Sequence, residues 1–258
     1  MRRFLFGISM ALVSAGSAFA ADPAMPTLSA PAYTWTGFYA GPSFGLVAGQ
    51  SRQTYGGDRA GVPDAFFPVG ADMTGRYHFT GPIFGGQLGY NYQMNQVVLG
   101  VELDASGVFA KGMAGPNAAA IVAGSNPLRR FHTDQRWLAT ARLRLGFAAD
   151  RWLLYVTGGL AAAGFSVNNE ALLVLAAANR APARATRIGW TVGAGAEYAL
   201  GGNWSMKGEV LYADFGRFFY SDSPAANGCV QCYSMNVQSS EWIVRVGFNY
   251  RFGATAIR

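Results

Sequence analysis

Four segments of the chain alternate between apolar and polar or small residues, and aromatics close both ends of the apolar side. In the first, the odd positions run Trp137, Ala139, Ala141, Leu143, Leu145, Phe147, with Arg142 and Arg144 on the even side. In the second, the apolar side runs from Trp190 to Tyr198 and Glu197 stands opposite. In the third it runs from Trp204 to Tyr212, opposite Lys207 and Glu209. In the fourth it runs from Trp242 through Tyr250 to Phe252, opposite Arg245, Asn249 and Arg251. A period of two is that of a β-strand, and an apolar face with aromatic ends against a polar face is the pattern of a strand in a membrane-spanning barrel. The aromatics lie 8 to 10 residues apart. At about 3.3 Å per residue and a tilt of about 40°, they bracket roughly 20–25 Å, the height of a lipid-facing band.

The same reading along the chain gives eight strands, at about Thr36–Gln50, Phe79–Tyr92, Val97–Val108, Gln135–Ala148, Trp152–Phe165, Arg187–Ala199, Asn203–Phe215 and Ser240–Phe252. The connections alternate in length. Ser51–His78, Phe109–Asp134, Ser166–Thr186 and Gly216–Ser239 each exceed 20 residues, whereas Gln93–Gln96, Ala149–Arg151 and Leu200–Gly202 are short. This predicts an all-β fold: an eight-stranded antiparallel up-and-down transmembrane β-barrel over residues 35–252, with the long loops extracellular and both termini periplasmic. A soluble lipocalin-like barrel would carry its charge outside. The aromatic ends, an export signal and a charged fraction of only 13% favour lipid outside.

The export signal occupies residues 1–20. Arg2 and Arg3 precede the apolar run Phe4–Val13, and Ala18-Phe19-Ala20 is a small-x-small site that places cleavage between Ala20 and Ala21. Residues 21–34, rich in Pro and Ala, read as a flexible periplasmic lead-in, and residues 253–258 as a short tail. Without Arg2 and Arg3 the chain keeps 18 basic against 14 acidic residues, dispersed along an exported protein, so no nucleic-acid partner is implied.

The polar face supplies the candidate interior. It carries Glu102, Asp104, Glu197, Glu209 and Glu241 together with Arg142, Arg144, Lys207, Arg245 and Arg251, a balanced set. Charges within a membrane are costly unless paired, and an eight-stranded barrel is just wide enough for side chains to fill. A plugged, charge-paired lumen is expected; the alternative is a narrow porin passing ions or small solutes. Glycines on the same parity, among them Gly45, Gly89, Gly159, Gly195 and Gly247, make room for Arg and Tyr side chains.

The segments YTWTGFYAGPSFGL, GGQLGYNYQ, GVELD, ARLRLGFAADRWLLYVTGGLA, GWTVGAGAEYAL, NWSMKGEVLYADFG and VRVGFNYRF resemble the outer-membrane immunogenic protein (porin-family) barrels of alphaproteobacteria, within the OmpA-like eight-stranded group. The resemblance spans the strands from about Trp35 to Phe252 and fails in the loops. It implies the Gram-negative cell outer membrane as location and insertion by the outer-membrane assembly machinery. It leaves activity open, since members are described as structural surface proteins, antigens, adhesins, haem binders or small porins. Members usually end on the aromatic of the last strand, which serves as assembly signal; here Phe252 is that aromatic, and six residues follow it.

Other candidate sites are few. Cys229 and Cys232 are the only cysteines, and Tyr233 stands where a c-type haem attachment needs His. A zinc site needs about four ligands. A small disulfide tightening the last extracellular loop is the favoured reading, which an exported protein permits. His78 and His132 lie near the extracellular strand ends without the spacing of a catalytic triad, so no enzyme activity, catalytic residue, metal or cofactor is assigned; a lipid-modifying enzyme or a haem binder is the remote alternative. The loops are more basic than acidic. Arg129, Arg130, Arg180, Arg184 and Arg187 are candidates for contact with lipopolysaccharide phosphates, because guanidinium pairs well with phosphate. The expected partners are outer-membrane lipids and lipopolysaccharide, with a host surface ligand as a further candidate. The apolar loop segment Ala171–Ala178 is too short to span as a helix and reads as packed on the loops.

Overall fold

A computed structural model describes residues 33–58, 68–122, 127, 130–170, 183–221 and 233–252. Eight strands follow one another: β1 (Gly37–Asp58), β2 (Asp72–Met94), β3 (Val97–Ala114), β4 (Arg130–Ala149), β5 (Trp152–Glu170), β6 (Ala183–Gly201), β7 (Trp204–Ser221) and β8 (Tyr233–Phe252). Each pairs antiparallel with the next, and β8 returns to β1, so the sheet closes and no edge is left. The tight turns at one end place Asn95, Asp150 and Gly202 at positive φ (54°, 51° and 54°), the conformation short hairpin connections demand. A five-residue helix, α1 (Ala118–Val122), follows β3; Asn117 caps it by accepting the Ala120 N–H at 2.8 Å.

The outward face is apolar over the middle of the barrel: Leu46, Leu88, Leu143, Leu160 and Val244 all project from it. Its aromatics form two belts. Trp190, Tyr212 and Trp242 lie side by side at the end remote from the tight turns, with centroids 5.6 and 5.1 Å apart, and Trp137 stands at that end of β4. Trp152 with Tyr198, Trp204 with Tyr250, and Phe147 stand near the turns.

The strands are longer than the alternation suggested, at 18 to 23 residues, and the excess lies at the end remote from the tight turns. Much of what reads as loop is therefore barrel wall: Arg52, Asp72, Arg76, His78, Lys111, Arg130, His132, Arg184 and Arg217 are strand residues. Two physical causes hide this extension. Beyond the lipid the outside is water, so the sense of the alternation inverts: Met235 and Val237 point in and are fully buried, while Asn236 and Gln238 point out. Bulges also shift the parity, one at Arg136, between the Gln135 and Trp137 registers, and one at Gly216, between Asp214 and Arg217. Gly216 adopts φ 64°, and its N–H donates to Asp214 Oδ1 at 2.7 Å.

The signal segment with its Ala20/Ala21 junction, Arg129, Ala171–Ala178, Arg180, Cys229, Cys232 and the tail after Phe252 lie outside the described residues.

Candidate functional site

The lumen is built in three layers. The lowest is an apolar cluster of Trp35, Val98, Ala148, Leu153, Tyr155 and Ala199. Trp35, 2% exposed, donates its backbone N–H to Gln93 Oε1 at 2.7 Å. Tyr33 packs edge-on against Trp35, and the Arg251 guanidinium lies 4.1 Å from the Tyr33 ring centre. The end of the lead-in is thus packed against barrel residues.

Above it lies a layer in which four carboxylates, Glu102, Asp104, Glu197 and Glu209, meet four cations, Arg142, Arg144, Lys207 and Arg245, so its formal charge sums to zero. Arg142 bridges Glu102, Asp104 (3.0 Å) and Glu209 (3.1 Å). Lys207 Nζ donates to both oxygens of Glu102 at 2.9 Å. Arg245 forks onto Asp104 at 2.9 and 3.0 Å and turns its Nε to Glu209. Arg144 donates to Glu197 at 2.9 Å and to the Tyr39 hydroxyl at 2.6 Å, with its guanidinium 3.9 Å over the Tyr155 ring. The remaining lone pairs are taken by neutral donors: Tyr39 to Glu102 (2.7 Å), Tyr155 to Glu209 (3.2 Å), Ser205 and Asn249 to Glu197 (2.6 and 2.8 Å), and Thr140 to Asp104. Buried ion pairs persist when such extra hydrogen bonds offset desolvation.

The local sequence makes the layer fit. Each bulky inward side chain faces a glycine on the neighbouring strand: Tyr39 with Gly89, Tyr155 with Gly195, Arg142 with Gly159, Lys207 with Gly247, Arg245 with Gly45. A Cβ on Gly159 would collide with the backbone of β4 at Ala141 and Arg142, and one on Gly195 would sit 2.5 Å from Tyr155 Oη.

The third layer, mainly apolar but with a buried hydrogen-bonded set of Gln53, Tyr77 and Thr133 along one side, was not anticipated. Phe79, Ile83, Val108, Phe131, Leu138, Phe165, Leu211, Phe215, Phe218, Met235, Val237 and Ile243 interlock across the upper lumen, with Phe165 at its centre against Phe79, Phe215 and Phe218. Only the inverted alternation above the lipid band could have signalled it.

Two expected members of the charge network stand apart from it. Glu241 lies in the upper lumen, 1% exposed, where Gln135 Nε2 donates to it at 3.0 Å; among the described residues it has no cationic partner. Arg251 lies at the lower mouth on Tyr33. The strand positions set this: Glu241 is four residues above Arg245 on β8, and Arg251 six below.

Of the arginines proposed for lipopolysaccharide, Arg130 donates to the Pro127 carbonyl and Arg184 is exposed on β6. Arg187 shares the inward face with its partner Ala163, lies 4.6 Å from the Phe218 ring centre and donates to the Phe219 carbonyl at 3.3 Å, so it is committed to the barrel. His78 and His132 stand on the outer wall, in register with Gln50 and Met113. The eight girdle aromatics read from sequence all lie on the outer face, each Tyr half-buried against a neighbouring Trp.

A closed eight-stranded barrel with an apolar, aromatic-rimmed exterior and a charged interior is a small outer-membrane β-barrel. The family model described as outer membrane protein beta-barrel domain matches residues 8–252, and the chain belongs to that family. It is 34% identical over 262 residues to the 31 kDa outer-membrane immunogenic protein of Brucella melitensis, covering 95% of this chain and 97% of that one. It is 27% identical over 258 residues to the 25 kDa outer-membrane immunogenic protein of Brucella abortus, covering 95% and 98%. In fold it is similar to the outer membrane protein OprG from Pseudomonas aeruginosa, with a TM-score of 0.51 at 18% identity over 85% of this chain and 97% of that chain. The protein is therefore placed in the outer membrane.

Proposed function

We propose that the protein is a non-conducting structural barrel that anchors in the outer membrane and presents its raised rim to lipopolysaccharide or a host ligand. The observation that carries this reading is the filling of the lumen: an electroneutral layer of buried ion pairs lies beneath an interlocked aromatic and aliphatic layer. An ion entering from either side meets a mainly apolar layer and then charges already paired with one another, and transfer of a bare ion into such a medium costs far more than thermal energy. The reading is non-enzymatic, with the outer surface as the working part. Basic residues such as Arg130 and Arg184 on the outer surface are suited to phosphate groups of the outer leaflet.

The test is single-channel conductance of refolded protein in a planar bilayer, after a heat-dependent gel shift has verified folding. Silence at high salt is expected. Steady openings altered by Glu102→Ala or Arg142→Ala would replace this reading with that of a narrow porin.

A further inference from the structure

Strand register brings three arginines together that lie far apart in sequence. Arg217 on β7 pairs with Gln238 on β8, Gln238 with Arg52 on β1, and Arg52 with Arg76 on β2. The four residues form one continuous row across four adjacent strands, all on the outer face. At a strand spacing of about 4.8 Å the row is roughly 14 Å long. Arg217 reaches this face because the bulge at Gly216 resets the parity of β7, sending Phe218 into the lumen and Arg217 outward.

The row borders two clefts on the same wall. One, of about 270 Å³, is bounded by Arg52, Arg217, Asn236 and Gln238. The other, of about 260 Å³, runs from Arg52, Arg76 and Gln238 down to Tyr212 and Trp242. Arg52 and Gln238 line both, so the clefts adjoin. The second, which Asp214 also lines, descends from guanidinium groups to the aromatic pair that tops the lipid-facing band, so one cleft borders both a cationic row and the acyl-chain region.

The charge of the wall is only partly spent. Asp72 takes the Arg52 guanidinium at 2.8 Å, and Asp214 is turned to its own strand, accepting from the Gly216 N–H at 2.7 Å and the Tyr212 hydroxyl at 3.4 Å. Arg76 and Arg217 have no carboxylate partner among the described residues. Two uncommitted guanidinium groups flanking a third, with side-chain amides between them, suit an anion with several acceptor oxygens. Continuity with Tyr212 and Trp242 suits an anion carried on an acyl-chain lipid.

We infer that the outer wall formed by β7, β8, β1 and β2 holds a phosphorylated glycolipid of the outer leaflet, its phosphate groups on Arg52, Arg76 and Arg217 and its acyl chains against Tyr212 and Trp242. The inference rests on the outer-surface reading above, and moves the lipid contact from the wall of Arg130 and Arg184 to this one.

The probe is bis-phosphorylated lipid A, with retention on the detergent-purified barrel counted by native mass spectrometry. Arg76→Ser with Arg217→Ser avoids the Arg52–Asp72 pair, and a heat-dependent gel shift verifies that this double variant folds. The wild type should hold lipid A, and the double variant about tenfold less, as loss of two charge-assisted contacts dictates. Dephosphorylated lipid A should be held as weakly by the wild type. Unchanged retention by the folded double variant overturns the site. If Arg130→Ser with Arg184→Ser then loses the lipid, the broader reading of a lipopolysaccharide-contacting surface survives on the other wall; if neither pair loses it, both ideas fall.

Discussion

Arg245 on β8 grips Asp104 on β3 with two parallel hydrogen bonds, Nη1 to Oδ1 at 2.9 Å and Nη2 to Oδ2 at 3.0 Å. The two strands are not neighbours in the sheet, so the fork spans the lumen and ties residues 141 positions apart in the chain. Arg245→Ala would leave Asp104 and Glu209 short of a buried counter-charge, and breaking such a pair from one side costs about 3–5 kcal/mol. Arg245→Lys should recover only part of this, because an ammonium cannot reproduce the fork. Equilibrium unfolding by denaturant in detergent micelles measures both. A loss for Arg245→Ala below about 1 kcal/mol, the range of an exposed pair, would mean that the layer is hydrated.

The glycines opposite the bulky lumen residues lead to a paired prediction. Gly195→Ala puts a methyl group 2.5 Å from Tyr155 Oη and 2.6 Å from its Cζ, and Tyr155 is held by both Glu209 and the stacked Arg144. The ring has to move, at a cost of about 1–3 kcal/mol. Gly208→Ala is the control: it lies on the exposed face of β7 with nothing within 4 Å of its added methyl. Equal effects of the two substitutions on the unfolding midpoint would contradict the packing described for the lumen.

Glu241 is the one carboxylate of the described lumen held only by a neutral amide, Gln135. Glu241→Gln keeps the shape and an acceptor for Gln135 while removing a buried carboxyl whose charged form has no cationic partner among the described residues. It should stabilise the barrel at neutral pH by about 1–3 kcal/mol, the scale of an under-satisfied buried group. The same unfolding measurement decides. A lowered midpoint would assign Glu241 a positive role in holding the upper lumen.

The membrane-embedded part of each strand is legible because lipid outside and charge inside impose one unbroken alternation between the girdles. Legibility stops where the solvent changes. Above the outer girdle both the sense and the phase of the pattern change, through water outside and through bulges at Arg136 and Gly216, so Met235, Val237 and Phe218 read as loop residues although they are core. For the charges, parity identifies which residues point inward but not their heights. Glu241 and Arg251 have the right parity and the wrong level. Tyr39 and Tyr155, which complete the ion-pair layer, carried a usable signal: each is an inward tyrosine facing a glycine across the sheet. The arginine row on the outer wall is invisible in sequence, because it exists only through the register of four strands.

Arg187 illustrates the difference between a basic residue and a basic site. Its guanidinium lies over Phe218 and donates to the Phe219 carbonyl, so its contribution is to the rim of the barrel. Arg187→Ser should lower stability by about 0.5–1 kcal/mol, the scale of an exposed cation–π contact, and leave lipid A retention unchanged. Lost retention with an unaltered unfolding midpoint would return it to the lipid-contacting set.

Phe252 sits where the barrel closes. It pairs with Phe38 on β1, its ring lies 5.2 Å from that of Tyr250, and it projects outward, 53% exposed, into the lower girdle. Its removal deletes contact with Tyr250 and with the surrounding detergent but nothing in the lumen, so Phe252→Ala should still refold in detergent, losing about 1–2 kcal/mol. Insertion in cells is a different matter if the last-strand aromatic is what the assembly machinery recognises. The expected outcome is a marked fall in outer-membrane level with near-normal refolding in vitro. The two measurements separate recognition from stability: equal losses in both would make Phe252 a packing residue, and an unchanged outer-membrane level would remove it as the assembly signal and direct attention to the residues that follow it.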